Sequence, residues 1–232
     1  MESRSGGRLS TSTGSCAPRI LAPMKIDRAG IPFVLAAALP ALALAGLRLF
    51  LPAAVLAIVA LALVFFFRDP ERVGVFGADC VLSPADGRVM IAGPSSASAG
   101  LEGEWTQVSI FLSPLDVHVN RIPVAGKITS VEYRPGCYHA AYRPDATTEN
   151  ERSEVWIQDG SRTVVCRQIT GVLVRRVVCR VKPGDQVRAG DRFGVMKFGS
   201  RIDLFLPVGT CLLVGVGDRV RGGETVLAEL PR

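Results

Sequence analysis

Two long uncharged runs near the N-terminus constrain this chain more than any other feature. Residues 31–47 and 49–67 carry no charged side chain, and only Arg48 separates them. Each run approaches the roughly 20 apolar residues that an α-helix needs to cross a bilayer. Burying both runs inside a soluble protein would require a very large core, and their doubled length does not suit a cleaved signal peptide. The sequence therefore predicts a membrane-associated helical hairpin over residues 30–67.

Flanking charge predicts how the hairpin is oriented. Basic side chains lie beyond both of its outer ends: Arg19, Lys25, Arg28, Arg68 and Arg72. The positive-inside rule then places both ends on the cytoplasmic side of the cell membrane. Pro40 and Pro52 weaken the two helices, so a re-entrant hairpin that only dips into the bilayer remains an alternative to one that spans it.

The composition differs on the two sides of the hairpin. Residues 1–29 are rich in Ser, Gly, Thr and Arg and are predicted to be disordered; Met24 offers an alternative start. Over residues 74–232, short runs of alternating apolar and polar residues are separated by Gly or Pro, which indicates many short strands and no long amphipathic helix. The expected fold class is mainly β (α+β), with a sandwich-like or barrel-like β domain. Candidate strands are RVMIAG, TQVSIFLS, GKITSVEY, SEVWIQD, RTVVCRQI, VLVRRVVCRV, RFGVMKF, RIDLFLP and ETVLAEL.

An internal repeat lies within the β-rich part. Residues 181–193, VKPGDQVRAGDRF, match residues 214–226, VGVGDRVRGGETV, with Val, Gly-Asp, Val-Arg and Gly in register. Gly-Asp steps favour tight turns because Gly accepts positive φ and Asp bonds its own backbone. The repeat predicts two related hairpin units in one pseudo-symmetric domain.

Charge and cysteine content narrow the class of partner. The net charge is +6 and the pI is about 9.3, which together with an apolar hairpin favours an anionic lipid surface. Nucleic acid is not expected as a partner, since zinc-finger spacing, RNA-binding signatures and dense Lys/Arg blocks are missing from the sequence. The six cysteines are scattered without a C-x-x-C pair, so neither a metal site nor a disulfide framework is expected.

The stretch GVMKFGSRIDLF, residues 194–205, interrupts a strand-like run with Gly199 and Ser200. Such a step is commonly a turn or bulge. The adjacent Lys197 also resembles the attachment lysine of a biotinyl or lipoyl carrier domain, which would make the protein a membrane-tethered carrier or transport adaptor. A third interpretation is a chemically active serine, which needs a base. The chain has only two histidines, His118 and His139.

Five motifs in order favour the third interpretation: FFFRDPER, SPADG, SPLDVHVNR, ENERSE and KFGSR. Together they resemble the short, proteobacterial and archaeal-type phosphatidylserine decarboxylases over about residues 30–232. The resemblance implies that Ser200 attacks the Gly199 carbonyl and becomes a covalent pyruvoyl group. The products would be a β chain, residues 1–199, and an α chain, residues 200–232, that stay together as a heterodimer.

The resemblance also implies roles for individual residues. His118 would be the base in cleavage and the proton donor in decarboxylation, and Asp86 would orient it or stabilise its charge. Arg201 would either contact a substrate anion or form a structural ion pair. Longer relatives often carry a second histidine where this chain has Arg121, so the division of roles around His118 stays open. The implied substrate is phosphatidylserine in an anionic membrane, converted to phosphatidylethanolamine and CO2. Whether the enzyme forms a homo-oligomer stays open at this point.

Overall fold

The structure is a computed structural model that describes residues 25–74, 76–95, 101–172, 177–197 and 199–231. Most of the segment expected to be disordered, residues 1–24, lies outside the described residues. The prediction was wrong for residues 25–29, because Lys25–Ile26 pairs with Arg68–Asp69 as a two-stranded sheet.

The described residues form the mainly β fold that the sequence predicts, with helices confined to the hairpin and two single turns. The helices are a 3₁₀ turn (Arg28–Gly30), α1 (Ile31–Gly46), α2 (Phe50–Phe66) and α3 (Ala146–Glu149). The strands are β1 (Lys25–Ile26), β2 (Arg68–Asp69), β3 (Cys80–Leu82), β4 (Gly87–Pro94), β5 (Thr106–Leu112), β6 (Val119–Arg121), β7 (Gly126–Arg134), β8 (Arg152–Asp159), β9 (Arg162–Ile169), β10 (Val178–Cys179), β11 (Gln186–Val187), β12 (Arg192–Val195), β13 (Ser200–Leu206), β14 (Cys211–Leu212), β15 (Arg219–Val220) and β16 (Val226–Glu229).

The two apolar runs form the predicted helical hairpin. Its buried positions are mostly small, which lets the helix backbones approach closely as in membrane helix pairs; they include Ala37, Ala41, Ala53 and Ala60. Large apolar side chains such as Leu42 and Leu51 point outward and are 70% and 79% exposed. An outward apolar surface of this extent is typical of a membrane-associated segment. By length and composition the helical segment Arg28–Gly46 can cross a membrane, whereas α2 is a shorter apolar helix.

An eight-stranded antiparallel sheet carries the core of the β domain. Its strand order is β11-β7-β8-β9-β13-β5-β4-β15, so β13 lies in the middle, bonded to β9 and β5. Since side chains alternate along a strand, β13 presents Ile202, Leu204 and Leu206 to the main apolar core. Of the predicted strand over residues 172–181, the described part contains only β10. Residues 173–176 lie outside the described residues.

The sequence repeat appears as two equivalent turns at opposite edges of this sheet. In one copy the Asp185 carboxylate accepts from the Lys182 amide, and in the other the Asp218 carboxylate accepts from the Gly215 amide. Gly184 and Gly217 share a φ of 97°. The strands that follow, β11 and β15, pair with β7 and β4 respectively. The predicted pseudo-repeated hairpin units are therefore present, and they close the two edges of the sheet.

Substituting Gly217 tests this turn. We expect Gly217→Ala to lower the free energy of unfolding by about 1–2 kcal/mol, because a Cβ is strained at positive φ. Gly215→Ala, two residues away without a positive φ, is the matched control and should cost less than half as much. Denaturant unfolding of both variants provides the comparison, and equal losses would contradict the assignment of the turn.

Candidate active site

Ser200 is the first residue of the central strand β13 and is fully buried. Its partner across the sheet is Leu112, the last residue of β5. The Ser200 hydroxyl has no hydrogen-bond partner among the described residues. A buried hydroxyl without a partner costs free energy, so its presence calls for an explanation.

His118 reaches the same place along the turn that follows β5. The His118 carbonyl accepts a hydrogen bond of 3.1 Å from the Met196 amide, and Val119 pairs with Val195. The backbone at His118 and Val119 is thus bonded to residues 195 and 196, just before Gly199. Strand β5, which leads into the turn that carries His118, pairs with Ser200. Two antiparallel ladders therefore bring the predicted serine and histidine to the same region of the sheet.

The His118 ring is held in the form that a base requires. Nδ1 lies 2.9 Å from the Asp116 carbonyl, and since a carbonyl only accepts, Nδ1 carries the proton. Nε2 then has a free lone pair, and it is buried without a partner in the described part of the chain. Burial lowers the pKa of His118 to about 4, with the Asp116 carbonyl opposing that shift. The imidazole is consequently neutral at physiological pH and able to accept a proton.

The end of the apolar hairpin forms one wall of this site. The Phe66 ring lies on the His118 ring with their centroids 4.2 Å apart. Phe67, which follows, stacks on Phe33 of α1 at 5.7 Å, and the Lys197 ammonium lies 4.7 Å from the centroid of Phe33. The hairpin therefore contacts both the base and the segment that leads to Gly199.

Gly199 has a backbone conformation that few residues other than glycine adopt, with φ of 64°. Its carbonyl is approached closely by Gly171, where an added Cβ would lie 2.0 Å from the Gly199 oxygen. Gly171 is positioned by its neighbour Thr170, whose carbonyl accepts 2.8 Å from the buried Asn150 amide. Asn150 belongs to the ENERSE motif. Its side chain also accepts a hydrogen bond from the His139 amide and donates one to the His139 carbonyl. That motif thus supports the carbonyl side of the predicted cleavage link.

Asp86 has partners other than the one expected for it. Its carboxylate accepts from Arg72 at 2.8 Å and from the Gly222 amide at 2.8 Å. The His118 ring is oriented instead by the hydrogen bond that its Nδ1 donates to the Asp116 carbonyl. Asp86 therefore joins the SPADG motif to the FFFRDPER motif.

Arg201 points away from Ser200, because adjacent residues of a strand face opposite sides of the sheet. It is 1% exposed and donates to Asp203 at 2.6 Å and to the Ser109 hydroxyl at 3.1 Å. Of its two predicted roles, these contacts favour the structural ion pair. Such a buried pair needs further hydrogen bonds to offset desolvation, and Thr147 supplies one by donating to Asp203.

Arg121, which stands where longer relatives often have a second histidine, is also a buried structural residue. Its guanidinium donates to the Pro70 carbonyl at 2.8 Å and the Gly190 carbonyl at 3.0 Å. It lies 3.4 Å from the Asp69 carboxylate. These contacts tie the segment after the hairpin to the β domain.

Three residues near the site were missed by reasoning from the sequence: Phe66, Asp116 and Gly171. Asp116 lies two residues before His118 in the quoted motif, so its proximity was available from the sequence. That Asp116 acts through its backbone carbonyl could not be predicted, because every residue has such a carbonyl. Phe66 and Gly171 act through packing, which only the folded chain reveals.

The fold and the site together define a class: a mainly β protein that has an N-terminal apolar helical hairpin, a buried serine at the start of its central strand and a neutral histidine. Comparison with known proteins narrows this class. The family model described as phosphatidylserine decarboxylase matches residues 59–228. Similar curated proteins include the phosphatidylserine decarboxylase proenzymes of Nitrosomonas europaea, 43% identical over 88% of this chain and 94% of the relative, and of Nitratidesulfovibrio vulgaris, 47% identical over 71% and 76%. The proenzyme of Pelodictyon phaeoclathratiforme is 43% identical over 71% of this chain and 77% of its own length.

The chain belongs to the phosphatidylserine decarboxylase family, as the motifs predict.

Removing the Phe66 ring tests its effect on the base. We expect Phe66→Ala to raise the pKa of His118 from about 4 toward its usual 6.5, because water then reaches the imidazole and the desolvation is reduced. NMR titration of the imidazole in a Ser200→Ala background gives the value, with His139 as an internal reference. Above both pKa values, His118 should be neutral with or without the Phe66→Ala change. Between the two pKa values, His118 should be charged only in the protein with Phe66→Ala.

Phe50→Ala is the matched control, since Phe50 is the first residue of α2, far along the helix from Phe66, and is 68% exposed. It should leave the pKa of His118 near 4. If Phe66→Ala also leaves that pKa unchanged in a folded protein, the ring is not what keeps water from His118.

The close contact at Gly171 gives a second prediction. Gly171→Ala should slow cleavage after Gly199 at least about tenfold, because the new methyl group displaces the Gly199 carbonyl and a small displacement of reacting groups is costly. Quantitative gel analysis of newly made protein measures the rate. Gly77→Ala, where an added Cβ meets only ordinary contacts, should cleave like the parent chain; equal rates for all three would contradict the role of Gly171.

Proposed function

We propose that this protein is a pyruvoyl-dependent phosphatidylserine decarboxylase that forms its own prosthetic group by cleavage between Gly199 and Ser200. One observation carries the proposal: the Ser200 hydroxyl and His118 Nε2 are both buried without hydrogen-bond partners among the described residues, and the backbone pairing brings them together beside Gly199. The family of the chain and the proenzyme names of its relatives support it.

The cleavage follows from the positions of these groups. As His118 Nε2 takes the hydroxyl proton, Ser200 Oγ attacks the Gly199 carbonyl carbon. The Gly199–Ser200 C–N bond then breaks, the proton passes to the released amine, and an ester links the two residues. Removal of the Ser200 α-proton expels the Gly199 carboxylate and leaves a dehydroalanine. Water converts its imine tautomer to a ketone and ammonia is released.

The residues around position 200 fit a pyruvoyl group. The position is fully buried at the start of a strand, and the segment that carries the neutral His118 is bonded to the residues just before it. When formed, the pyruvoyl group supplies a carbonyl that takes the substrate amine and an electron sink that allows CO2 to leave. His118 Nε2, neutral at rest, would take a proton from the substrate ammonium group and deliver it to the carbon that loses CO2, and Phe66 keeps bulk water from the ring. Asp86 and Arg72 stay in place as an ion pair that fixes the chain after the hairpin.

The two chains stay associated after cleavage because the shorter chain is built into the sheet. Residues 200–232 include β13, which is bonded on both sides by β5 and β9 of the longer chain. They also include β16, which pairs with β3. Separating them would expose the main core, so an α–β heterodimer is the expected mature form.

The substrate is phosphatidylserine in the membrane that holds the hairpin. The polar end of the hairpin is next to His118, so the head group of a lipid beside the hairpin is at the height of the site. The basic flanking residues favour the cytoplasmic side. The product phosphatidylethanolamine leaves into the same leaflet.

The carrier alternative has no observation in its favour. An attachment lysine lies at the exposed tip of a hairpin, whereas the Lys197 ammonium lies over the Phe33 ring at the base of the apolar helices.

Replacing the nucleophile tests the proposal. Ser200→Ala should leave one intact polypeptide, because a methyl group cannot attack the Gly199 carbonyl, while the parent chain separates into two on a denaturing gel. Ser161→Ala, in the exposed turn between β8 and β9, is the control and should be processed normally. A Ser200→Ala chain that still divides after Gly199 would overturn the proposed nucleophile.

A further inference from the structure

Arg68 forms no ion pair within the described residues, unlike three other arginines near the base of the hairpin. Arg72, Arg180 and Arg192 each lie within 4.0 Å of a carboxylate, on Asp86, Asp27 and Asp69 respectively. Arg68 is partly buried, and the carboxylates of Asp86 and Asp116 attract it from beyond ion-pair distance. Its guanidinium therefore keeps donor groups that no carboxylate among the described residues occupies.

Two neutral carbonyls and a ring hold the guanidinium in place. Arg68 donates to the Phe65 carbonyl at 2.8 Å and to the Leu115 carbonyl at 2.6 Å, and its central carbon lies 3.9 Å from the Phe65 ring centroid. These contacts use two of the five N–H groups of arginine. The remaining N–H groups form a fixed donor set of the kind that binds phosphate.

The position of Arg68 matches that of a lipid phosphate. It follows the C-terminal end of α2 by two residues, where the apolar surface ends and the head-group layer begins. It is also close to the base, because Leu115 lies in the turn that carries His118 and because Phe66 contacts the His118 ring. Burial lowers the pKa of His118 and the positive charge of Arg68 lowers it further.

We propose that Arg68 binds the phosphate group of the phospholipid substrate and so sets the reach of its serine head group into the site. The P–O–Cβ–Cα–N linkage of that head group is short, so a fixed phosphate places the amine near position 200. This inference rests on the proposed function and adds a recognition residue to it.

The chemistry favours the phosphate over the serine carboxylate as the group bound. Decarboxylation removes negative charge from the carboxylate, so a cation paired with it would stabilise the starting state more than the transition state and slow the reaction. The phosphate keeps its charge throughout. A contact to the phosphate therefore contributes equal binding in both states and acts on KM rather than on kcat.

The test uses the mature enzyme and phosphatidylserine with acyl chains short enough to remain monomeric, which separates head-group binding from membrane binding. Arg68→Gln should raise KM at least about tenfold with a smaller change in kcat, since a charge-assisted hydrogen bond is lost. Arg68→Lys should recover part of the loss. Arg28→Gln, at the other end of the same hairpin base, is the control and should keep the parent KM.

Inhibition by short-chain phosphatidylethanolamine separates the two anions, because this product has the phosphate but no carboxylate. Its inhibition constant should rise in Arg68→Gln by the same factor as KM. An unchanged inhibition constant would assign Arg68 to the carboxylate instead and overturn the proposal. The proposal would also be overturned if Arg68→Gln kept the parent KM for the monomeric lipid but sedimented less with phosphatidylserine vesicles. Arg68 would then contribute to membrane binding only.

Failure of this inference can be distinguished from failure of the proposed function. Chain cleavage in Arg68→Gln, followed on a denaturing gel, should be complete. If the parent protein proved not to decarboxylate phosphatidylserine, calorimetric binding of short-chain phosphatidylethanolamine to the parent and Arg68→Gln proteins would still decide whether Arg68 binds a phospholipid phosphate. Equal affinity in that titration would refute it.

Discussion

The antiparallel pairing of β13 with β5 and β9 is the interaction on which the rest of the structure depends. It fixes Ser200 opposite Leu112 at the centre of the sheet, and it sends the chain after β5 through the turn that carries His118. A shift of one residue in this register would turn Ser200 to the opposite face and Arg201 into its place. The buried ion pair of Arg201 with Asp203 opposes that shift, because a charged pair placed against the apolar core would lose its partners. The ion pair thus contributes to function by fixing the register of its neighbour.

The apolar hairpin is a structural part of the site as well as an apolar segment of the kind that associates with membranes. Phe66 packs on His118, Phe67 stacks on Phe33, and Arg180 clamps Asp27 with bonds of 2.6 and 2.8 Å just before the first helix. Both ends of the hairpin are consequently bonded to the β domain. A displacement of the helices would therefore reach His118 directly through Phe66.

Much of this arrangement could be predicted from the sequence, and the reasons differ between its parts. The hairpin follows from uncharged runs that only a bilayer accommodates. The two edge turns follow from the repeated Gly-Asp steps, whose conformational demands are local. Ser200 and His118 were found because motifs in a fixed order resemble a family. The direct partner of His118 could not be predicted, since the Asp116 backbone replaces the Asp86 side chain that the serine–histidine–aspartate pattern suggested. The contacts of Phe66 and Gly171 likewise depend on how distant segments pack, which neither periodicity nor motif spacing reveals.

Denaturing mass spectrometry of the purified parent protein, before and after borohydride reduction, tests the central claim most directly. The account predicts a C-terminal polypeptide of residues 200–232 whose first residue lacks an amino group and gains two hydrogens on reduction, together with a second polypeptide that ends at Gly199. An active preparation in which the chain is intact, or in which the shorter polypeptide begins with an unmodified serine and does not react, would contradict it.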